Sequence, residues 1–398
     1  MSRLHYAGIR SPCYPKTEAS IVKLWHPCMT TEEHFMSRAL HLARRGLWTT
    51  DPNPRVGCVL VQDGDIVGEG WHEHPGGPHA EVNAITDAGA AARNASAYIS
   101  LEPCCHHGKT GPCTDALIEA GIKRVVTAMV DPNPLVAGNG LKRLAGAGIK
   151  TRTGLLESSA RELNPGFCSR MSTGLPYVRA KLAMSLDART AMASGESQWI
   201  TGAAARRDVQ RLRARSSAVM TGVGTVLADN PSLTVRAADL GLAPETRLRQ
   251  PLRVIVDSTG RTPTNVKMFT LPGRNLVATS NVSAQKRQAL EAAGAEVMQV
   301  EGSSTRVDLK TLLRELGHFE VNEILLECGP TLAGAMLAQQ CIDELVLYVA
   351  PRVLGDNARG LFSLPGLEKL ADAATLDISD VRSVGKDVRI IANVVSSA

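Results

Sequence analysis

The chain has 398 residues, enough for two or three domains, and its 44% hydrophobic and 21% charged residues are ordinary for a globular protein. Its 44 Lys and Arg against 39 Asp and Glu give a net charge of only +5, and aromatic residues make up 4%, so neither charge nor stacking surface favours nucleic-acid binding. The nine cysteines are mostly scattered, which indicates a reducing compartment, and no apolar run approaches the ~18 residues of a membrane span, so we expect a cytoplasmic protein that contacts no membrane.

The first half of the chain alternates predicted helices and strands. Residues 1–28 lack the apolar core of a signal peptide, and we expect them to form a poorly ordered extension. Thr30 and Glu33 form a capping box that predicts a first helix ending at Gly46. A hairpin is predicted around Asp63-Gly64. The remaining predictions are helices at 79–92 and 114–120, strands at 97–101 and 124–130, and a helix ending at 148.

Two short pieces in the first third carry ligands for a metal. His79 is followed by Glu81, and further along Cys104 follows a proline and Cys113 closes the same loop. One imidazole and two thiolates suit Zn²⁺ and leave its fourth position for a water, whose pKa bound zinc lowers to about 7. Glu81 is then placed to move a proton from that water to a leaving amine. His-x-Glu followed by Pro-Cys and a second Cys is typical of zinc nucleobase deaminases.

The spacing of the two cysteines departs from the usual Cys-x-x-Cys, because eight residues separate Cys104 from Cys113. This longer loop resembles that of the pyrimidine deaminases of riboflavin biosynthesis. Two other interpretations stay open: a closed structural zinc site with Cys105, His106 or His107 as fourth ligand, and cysteines that bind no metal. The Asp-Pro-Asn-Pro turn at 51–54 enters the same layer, and Asn53 there offers both a donor and an acceptor to a base edge.

The pattern weakens and becomes polar over residues 154–174, and we place a domain boundary near Gly174. The domains are then 29–174 and 175–398. Beyond the boundary, strands and helices alternate, which predicts a mostly parallel sheet covered by helices. The predicted strands are 177–184, 217–221, 252–256, 275–278, 295–300, 323–327 and 344–349, and the predicted helices are 203–214, 284–293, 308–316 and 331–340.

Two turns in the second half are suited to a phosphate. Gly222-Val223-Gly224 lacks the third glycine of a dinucleotide fingerprint, but a strand followed by a glycine turn still presents backbone N–H groups. Gly329-Pro330-Thr331 forms the second turn. Either turn taken singly is compatible with an ordinary strand-to-helix connection, and the pair favours a phosphorylated ligand. Arg213, near a helix end, is a further candidate for phosphate contact.

Several stretches make the chain resemble the bifunctional deaminase/reductase family of riboflavin biosynthesis. They are HAEV at 79–82, LEPC at 101–104, DPNP at 131–134, AMASGESQWIT at 191–201, TVLAD at 225–229 and GPTL at 329–332. Both halves match in the family's order, so the resemblance covers the chain from residue 29 onward.

For the first half, the resemblance implies a cytidine-deaminase-like α/β/α domain. It would remove the 2-amino group of 2,5-diamino-6-ribosylamino-4(3H)-pyrimidinone 5′-phosphate. The zinc ligands would be His79, Cys104 and Cys113, with Glu81 as the catalytic proton shuttle. The residues that fall on the family's substrate-binding positions are Asn53, His72, His106 and Lys109.

For the second half, the resemblance implies a dihydrofolate-reductase-like α/β domain that uses NADPH to reduce the ribosyl group to ribityl. NADPH would contact Ala183, Trp199, Thr225, Asp229, Ser258, Gly329, Pro330, Thr331, Leu332, Ala333, Gly334 and Ala335. Substrate would contact Ser197, Arg213, Leu233, Arg236 and Glu327. The arginines suit its phosphate, and Asp229 is also a candidate acid near the sugar.

Two residues depart from the family pattern, and two other classes of protein remain as alternatives. Cys105 replaces a serine beside the metal, and Ala188 replaces a glycine, which would strain the turn if that position needs a positive φ.

The alternatives are a nucleic-acid-editing deaminase with an RNA-binding second half and a structural zinc protein that merely binds a nucleotide. We expect a homo-oligomer whose ligands are small molecules.

Overall fold

The computed structural model describes residues 30–106, 111–243, 248–303 and 305–395, and most of its strands form two large sheets, one in each half of the chain. This confirms the expected α/β class for both halves. The expected extension at residues 1–28 lies outside the described residues. Within the described ranges, no helix combines the length and the apolar character that a membrane crossing requires.

The first half alternates helices and strands up to residue 173. Its elements are α1 Thr31–Arg44, β1 Gly57–Gln62, β2 Asp65–Trp71, α2 Ala80–Ala88, a 3₁₀ helix Gly89–Ala92, β3 Ser96–Ile99, α3 Cys113–Glu119, β4 Arg124–Thr127, α4 Asn139–Gly146, β5 Lys150–Arg152, α5 Glu157–Leu163 and α6 Pro165–Thr173.

Strand β1 shows why this half has three layers. Its side chains are buried on both faces, as expected for a strand with helices above and below. Val59 and Val61 pack in one core with residues of α1, α5 and α6, whereas Cys58 and Leu60 pack in another with residues of α2, α3 and α4. The sheet order is β2-β1-β3-β4-β5, antiparallel around β1 and parallel from β3 to β5. The expected α/β/α arrangement is confirmed.

The second half contains a longer series of elements. They are β6 Tyr177–Ser185, β7 Arg189–Ala191, α7 Ala203–Arg215, β8 Ala218–Gly222, α8 Val223–Asp229, a 3₁₀ helix Ala237–Leu240, β9 Leu252–Val256, a 3₁₀ helix Lys267–Thr270, β10 Asn275–Thr279, α9 Ala284–Ala292, β11 Glu296–Gln299, β12 Gly302–Ser303, β13 Arg306–Val307, α10 Leu309–His318, β14 Glu323–Leu326, α11 Pro330–Ala338, β15 Glu344–Ala350, β16 Arg359–Gly360, a 3₁₀ helix Leu370–Asp372, β17 Thr375–Val384 and β18 Asp387–Val395.

Nine of these strands form one sheet in the order β11-β10-β9-β8-β14-β6-β15-β18-β17. The pairs from β11 to β15 are parallel, and β18 and β17 add an antiparallel edge. The predicted mostly parallel sheet is therefore confirmed. The carboxyl ends of β8 and β14 lie side by side, so the turns that follow them are neighbours.

Two regions differ from the sequence-based expectations. Residues 154–174, which read as a weak polar stretch, form α5 and α6, because Leu155, Ala160, Leu163 and Phe167 are enough to pack against the first core. The hairpin β17–β18 was not predicted, since most side chains of β17 are exposed and its sequence is correspondingly polar.

A buried ion cluster joins the two halves. Glu323, at the start of β14, lies 2.6 Å from the Nη1 of Arg55 in the first half. The same carboxylate lies 2.9 Å from Arg179 Nη1 and 3.0 Å from Arg215 Nε in the second half. Burial raises the pKa of Glu323, but the three guanidinium charges outweigh that effect and hold the pKa well below its usual range.

Candidate active sites

The three expected metal ligands converge in the first half. The ligand atoms of His79, Cys104 and Cys113 lie within 4.8 Å of one another. His79 Nδ1 is 3.1 Å from Cys113 Sγ and 3.6 Å from Cys104 Sγ, and the two sulfurs are 3.4 Å apart. Tetrahedral zinc with ordinary bond lengths would separate two sulfurs by about 3.8 Å and a nitrogen from a sulfur by about 3.6 Å. This donor set and its spacing therefore fit Zn²⁺.

Helix starts position two of the three ligands. His79 is the N-cap of α2, with extended backbone, and Cys113 is the first residue of α3. The backbone N–H of Cys113 points at Cys104 Sγ across 3.4 Å. Hydrogen bonds from Cys113 and His79 lower the pKa of the Cys104 thiol although its burial opposes this. The backbone N–H of Cys113, at the start of α3, thus adds to the effects that favour the thiolate of Cys104.

Glu81 lies beside the ligands without belonging to their cluster. Its side chain is buried, at 3% exposure, in the first turn of α2. Burial and the nearby Cys104 raise the pKa of Glu81. A carboxyl group with a raised pKa is better matched to moving protons near neutral pH than an exposed one.

Asn53 and His72 form the next layer of the same site. Asn53 Nδ2 lies 3.0 Å from His72 Nε2, and the imidazole of His72 meets that of His79 edge to face, with ring centres 5.2 Å apart. Burial lowers the pKa of His72, which favours a neutral ring. The structure therefore brings these two expected substrate residues next to the metal ligands.

The remaining expected residues of this site lie on the loop before Cys113. His106 is exposed and makes no hydrogen bond within the part of the chain that the structure describes. Lys109 and His107 lie outside the described residues. Cys105 is not part of the three-residue ligand cluster, and partial burial raises the pKa of its thiol.

Glu102 is a residue of this site that the sequence analysis missed. Its buried carboxylate accepts hydrogen bonds from three backbone N–H groups: Asp131 at 3.1 Å, Gly138 at 2.8 Å and Leu141 at 3.2 Å. It thereby ties the segment before Cys104 to the turn after β4 and to the start of α4. The sequence does contain a signal for Glu102. It is a glutamate between apolar residues at a strand end, two residues before a metal ligand.

The second half contains a cavity of about 2560 Å³ at the carboxyl ends of its sheet. That is well above the ~300–1,000 Å³ of a drug-sized pocket. Its lining includes the expected Ala183, Ser197, Trp199, Arg213, Thr225, Asp229, Ser258, Leu233, Arg236, Glu327, Gly329, Pro330, Thr331, Leu332, Gly334 and Ala335. The side chain of Ala333 instead packs in the hydrophobic core below.

Two glycine turns meet in this cavity. The turn at Gly222 leads into α8 and the turn at Gly329 leads into α11. A Cβ atom built on Gly329 would lie 4.0 Å from Thr225 Oγ1 and would meet nothing closer, so backbone is open to a ligand there. Adjacent helix starts with accessible N–H groups fit the phosphates of a dinucleotide.

Arg213 is held by Glu327 in a two-point ion pair. Nε lies 2.6 Å from Oε1 and Nη2 lies 2.9 Å from Oε2, and Nη1 donates to Thr234 O at 3.1 Å. Each of the three guanidinium nitrogens of Arg213 therefore has a partner inside the protein. The side chain of Arg236 is 55% exposed, and its Nε pairs with Asp239 Oδ2 at 2.5 Å.

Lys181 is a polar residue of this cavity that the sequence analysis left without a role. It lines the cavity from the middle of β6, among apolar neighbours in sequence. Burial lowers the pKa of its ammonium group, and the charge of Glu327 partly restores it. The sequence signal for Lys181 was a lysine within a predicted strand of mostly apolar residues.

Trp199 and Asp229 lie at the open side of the cavity. Trp199 is 61% exposed, and the guanidinium carbon of Arg206 lies 4.6 Å from its ring centre. Gln198 Nε2 lies 3.5 Å from Asp229 Oδ1, which links the loop before α7 to the end of α8. An exposed aromatic ring and an exposed carboxylate at the mouth are available to a bound ligand.

Two family models match the chain, one in each half. Residues 29–129 match the cytidine and deoxycytidylate deaminase zinc-binding region, and residues 176–390 match the RibD C-terminal domain. Both matches overlap the sites described above.

Relatives and solved structures match over most of the length. The riboflavin biosynthesis protein RibD of Escherichia coli is 51% identical over 362 residues, covering 90% of this chain and 98% of that protein. Its counterpart in Haemophilus influenzae is 48% identical over 361 residues, covering 89% and 95%. One crystal form of Acinetobacter baumannii RibD has a TM-score of 0.84 and 44% identity, covering 92% and 99%. A deaminase/reductase from Thermotoga maritima has a TM-score of 0.80 and 33% identity, with the same coverage.

Proposed function

The chain belongs to the RibD family of bifunctional deaminase/reductases of riboflavin biosynthesis, and from that premise we propose which reaction each of its two sites performs. The first half removes the 2-amino group of the diaminopyrimidine ribosyl phosphate, and the second half reduces the ribosyl group of the product to ribityl with NADPH. The convergence of His79, Cys104 and Cys113 beside the buried Glu81 is the observation that carries the proposal. An editing deaminase acting on nucleic acid is not favoured.

In the deaminase site, His79, Cys104 and Cys113 hold zinc, which when bound supplies the Lewis acidity that makes a water nucleophilic. Glu81 takes one proton from that water to the adjacent ring nitrogen and then passes the remaining hydroxyl proton to the departing amine, so ammonia leaves and a carbonyl replaces the amino group. Asn53 contacts the ring edge from its place beside His72. His106 and Lys109 belong to the substrate side of this site.

In the reductase site, NADPH when bound supplies a hydride to C1′ of the opened sugar, and an acid must supply the accompanying proton. Asp229 is our candidate for that acid, since it is exposed at the cavity mouth. Thr225, Ser258 and the turn from Gly329 to Ala335 hold the cofactor, together with Ala183 and Trp199. Ser197, Leu233 and the ion pair of Arg213 with Glu327 border the sugar, and Arg236 receives the phosphate.

The domain boundary and the setting of the enzyme are part of the proposal. We place the deaminase in residues 29–174 and the reductase in residues 175–398, with a homo-oligomeric enzyme in the cytoplasm. Its ligands are small phosphorylated pyrimidines and NADPH, without nucleic acid or membrane.

The direct test follows ammonia release and NADPH absorbance together, using purified zinc-loaded protein and the diaminopyrimidine ribosyl phosphate. We expect ammonia in the absence of NADPH, and NADPH oxidation only after deamination. Ammonia without any NADPH oxidation would contradict the assignment of the second half. A preparation that gives neither signal would contradict both assignments. It would favour the alternative interpretation of the first half as a structural zinc site.

A further inference from the structure

The turn that carries Asn53 is held by residues of the other half of the chain. Ser217 Oγ donates to Asp51 Oδ1 at 2.6 Å. Asn322 Nδ2 donates to the carbonyl oxygen of Pro52 at 2.7 Å, and it lies 3.3 Å from Asp51 Oδ1. Arg249 Nη1 lies 3.4 Å from Asp51 Oδ2. Within the proposed deaminase site, the side chain of Asp51 and the carbonyl oxygen of Pro52 therefore take their partners from the reductase half.

The two principal anchors are buried and rigidly placed. Ser217 and Asn322 are 6% and 5% exposed and stand just before the neighbouring parallel strands β8 and β14. The backbone N–H of Asn322 donates to Ser217 Oγ at 2.9 Å. Arg170 Nε donates to Asn322 Oδ1 at 2.7 Å, so this amide oxygen is occupied and the amide nitrogen faces the turn. The anchors thus present donors in a defined direction.

The segment is also fixed just beyond Asn53. The backbone N–H of Arg55 donates to Asn164 Oδ1 at 2.8 Å, and Asn164 Nδ2 donates back to Arg55 O at 2.9 Å. The Arg55 side chain reaches Glu323 across the junction, 2.6 Å away. A Cβ atom on Gly166 would come within 2.5 Å of Asn322 O, so only glycine permits the close approach of α6 to this junction. Residues 51 to 55 therefore have little freedom to shift.

We propose that Asn322 and Ser217 are positioning residues for deamination: from the reductase half, they hold the Asp51–Pro52 turn so that Asn53 meets the pyrimidine ring. The inference rests on the proposed function, because it takes Asn53 as a substrate contact. Neither anchor touches the reacting atoms. They act through the backbone of the turn, where small displacements of a substrate-orienting group weaken productive binding strongly.

The two ends of strands β8 and β14 serve different proposed sites. Ser217 and Asn322 precede β8 and β14, whereas the turns at Gly222 and Gly329 that line the reductase cavity follow the same two strands. The anchors are therefore remote from the cofactor turns along the strands. A change at the anchors is expected to alter deamination and to leave NADPH binding as it is.

The test compares Asn322→Ala with Asn275→Ala in the full chain loaded with zinc. Asn275 is a matched control, since it is 3% exposed in the same sheet and donates to Gly294 O at 3.2 Å without touching the first half. We expect Asn322→Ala to raise the KM for deamination about tenfold, with kcat within about twofold, zinc content unchanged and the KM for NADPH unchanged. Asn275→Ala should leave both KM values as in the wild type.

Equal effects of the two variants on the deamination KM, or no effect of Asn322→Ala, would overturn the proposal. If Asn322→Ala does not fold, Ser217→Ala takes its place, with the same expected rise in the deamination KM and the same overturning results. The wild type is assayed first. Absence of ammonia from the wild type contradicts the proposed function itself, whereas a wild-type KM in the variants contradicts only the positioning role.

Discussion

Asn53 donates a hydrogen bond from its side-chain nitrogen to Nε2 of His72 across 3.0 Å. The other ring nitrogen, Nδ1, lies 3.0 Å from the carbonyl oxygen of Pro78, which only accepts, so Nδ1 carries the hydrogen. The neutral ring that burial favours then accepts at Nε2. Asn53 therefore keeps Oδ1 as an acceptor, and in its proposed role it would bind an edge of the pyrimidine ring that donates a hydrogen bond.

Replacing Asn53 by Asp tests this arrangement. The carboxylate has no donor for His72 Nε2, so two acceptors would face each other. We expect kcat/KM for deamination to fall roughly 10- to 100-fold, equivalent to about 1.4–2.7 kcal/mol. Ammonia release measures it, and the reductase activity of the same variant is the internal control. A variant with wild-type kcat/KM would contradict the role of Asn53.

Glu81→Gln removes the proposed proton shuttle and keeps the shape of the side chain. We expect deamination to slow by about 10²–10⁴-fold, the usual contribution of a general acid–base group, while zinc content and NADPH oxidation with already deaminated substrate stay normal. Glu119→Gln, at an exposed position at the end of α3, serves as the control. Normal deamination by Glu81→Gln would show that another group moves the proton.

Zinc content separates a three-ligand site from a four-ligand one. Cys104→Ala removes a member of the ligand cluster and should lose both zinc and deamination, whereas Cys105→Ala should keep both. Metal analysis of the two purified variants decides between them. Loss of zinc from Cys105→Ala would indicate a closed structural site instead. Chelation of the wild type should likewise abolish deamination and spare reduction of deaminated substrate.

The ion cluster around Glu323 predicts a specific acid sensitivity. Because the arginines depress the folded-state pKa of Glu323, its stabilising effect is complete above the ordinary value of 4.5 and is lost as the pH falls toward the folded-state pKa. We expect Glu323→Gln to lower the free energy of unfolding by about 3–5 kcal/mol at pH 7. The gap from the wild type should narrow below about pH 4.5. Thermal unfolding across pH 3–7 measures it, and a gap that widens in acid would contradict the assignment.

Ala188 has a φ of +58°, the conformation for which the family's glycine is suited. The neighbouring Asp187 is bound by the N–H groups of Leu354 and Gly355, so the turn cannot relax freely. Ala188→Gly should raise the free energy of unfolding by about 0.5–1 kcal/mol, the relief of strain less the added entropy of the unfolded chain. Ala145→Gly, within the exposed face of α4, should lower it by about 1 kcal/mol. Equal losses in both variants would rule out strain at Ala188.

Local chemistry made the ligand cluster and the phosphate turns predictable. His79 and Cys113 sit at helix starts that can be identified from short stretches of sequence, and Gly329 comes shortly after the apolar run Ile324 to Leu326. In each case the residues that carry the signal are close in the chain. The alternation of strands and helices likewise gave the class of both halves, since periodicity is a local property.

Contacts between distant segments were not predictable in this way. Nothing near Asp51 in the sequence points to Asn322, and a single chain gives no sign that Gly166 must pass close to it. The helices α5 and α6 were missed because their few apolar residues gain meaning only against a core formed elsewhere. Glu102 was overlooked for the same reason, since its partners lie beyond β4.

The junction of the two halves bears on whether the chain can be divided into two working polypeptides. A cut after residue 174 would leave Glu323 with two of its three guanidinium partners and would strip Asp51 of Ser217, Asn322 and Arg249. Two separate polypeptides would have to rebuild these buried contacts between molecules, at a concentration-dependent cost that the fused chain avoids. Dividing the chain there should therefore slow deamination unless the two pieces reassociate through these contacts.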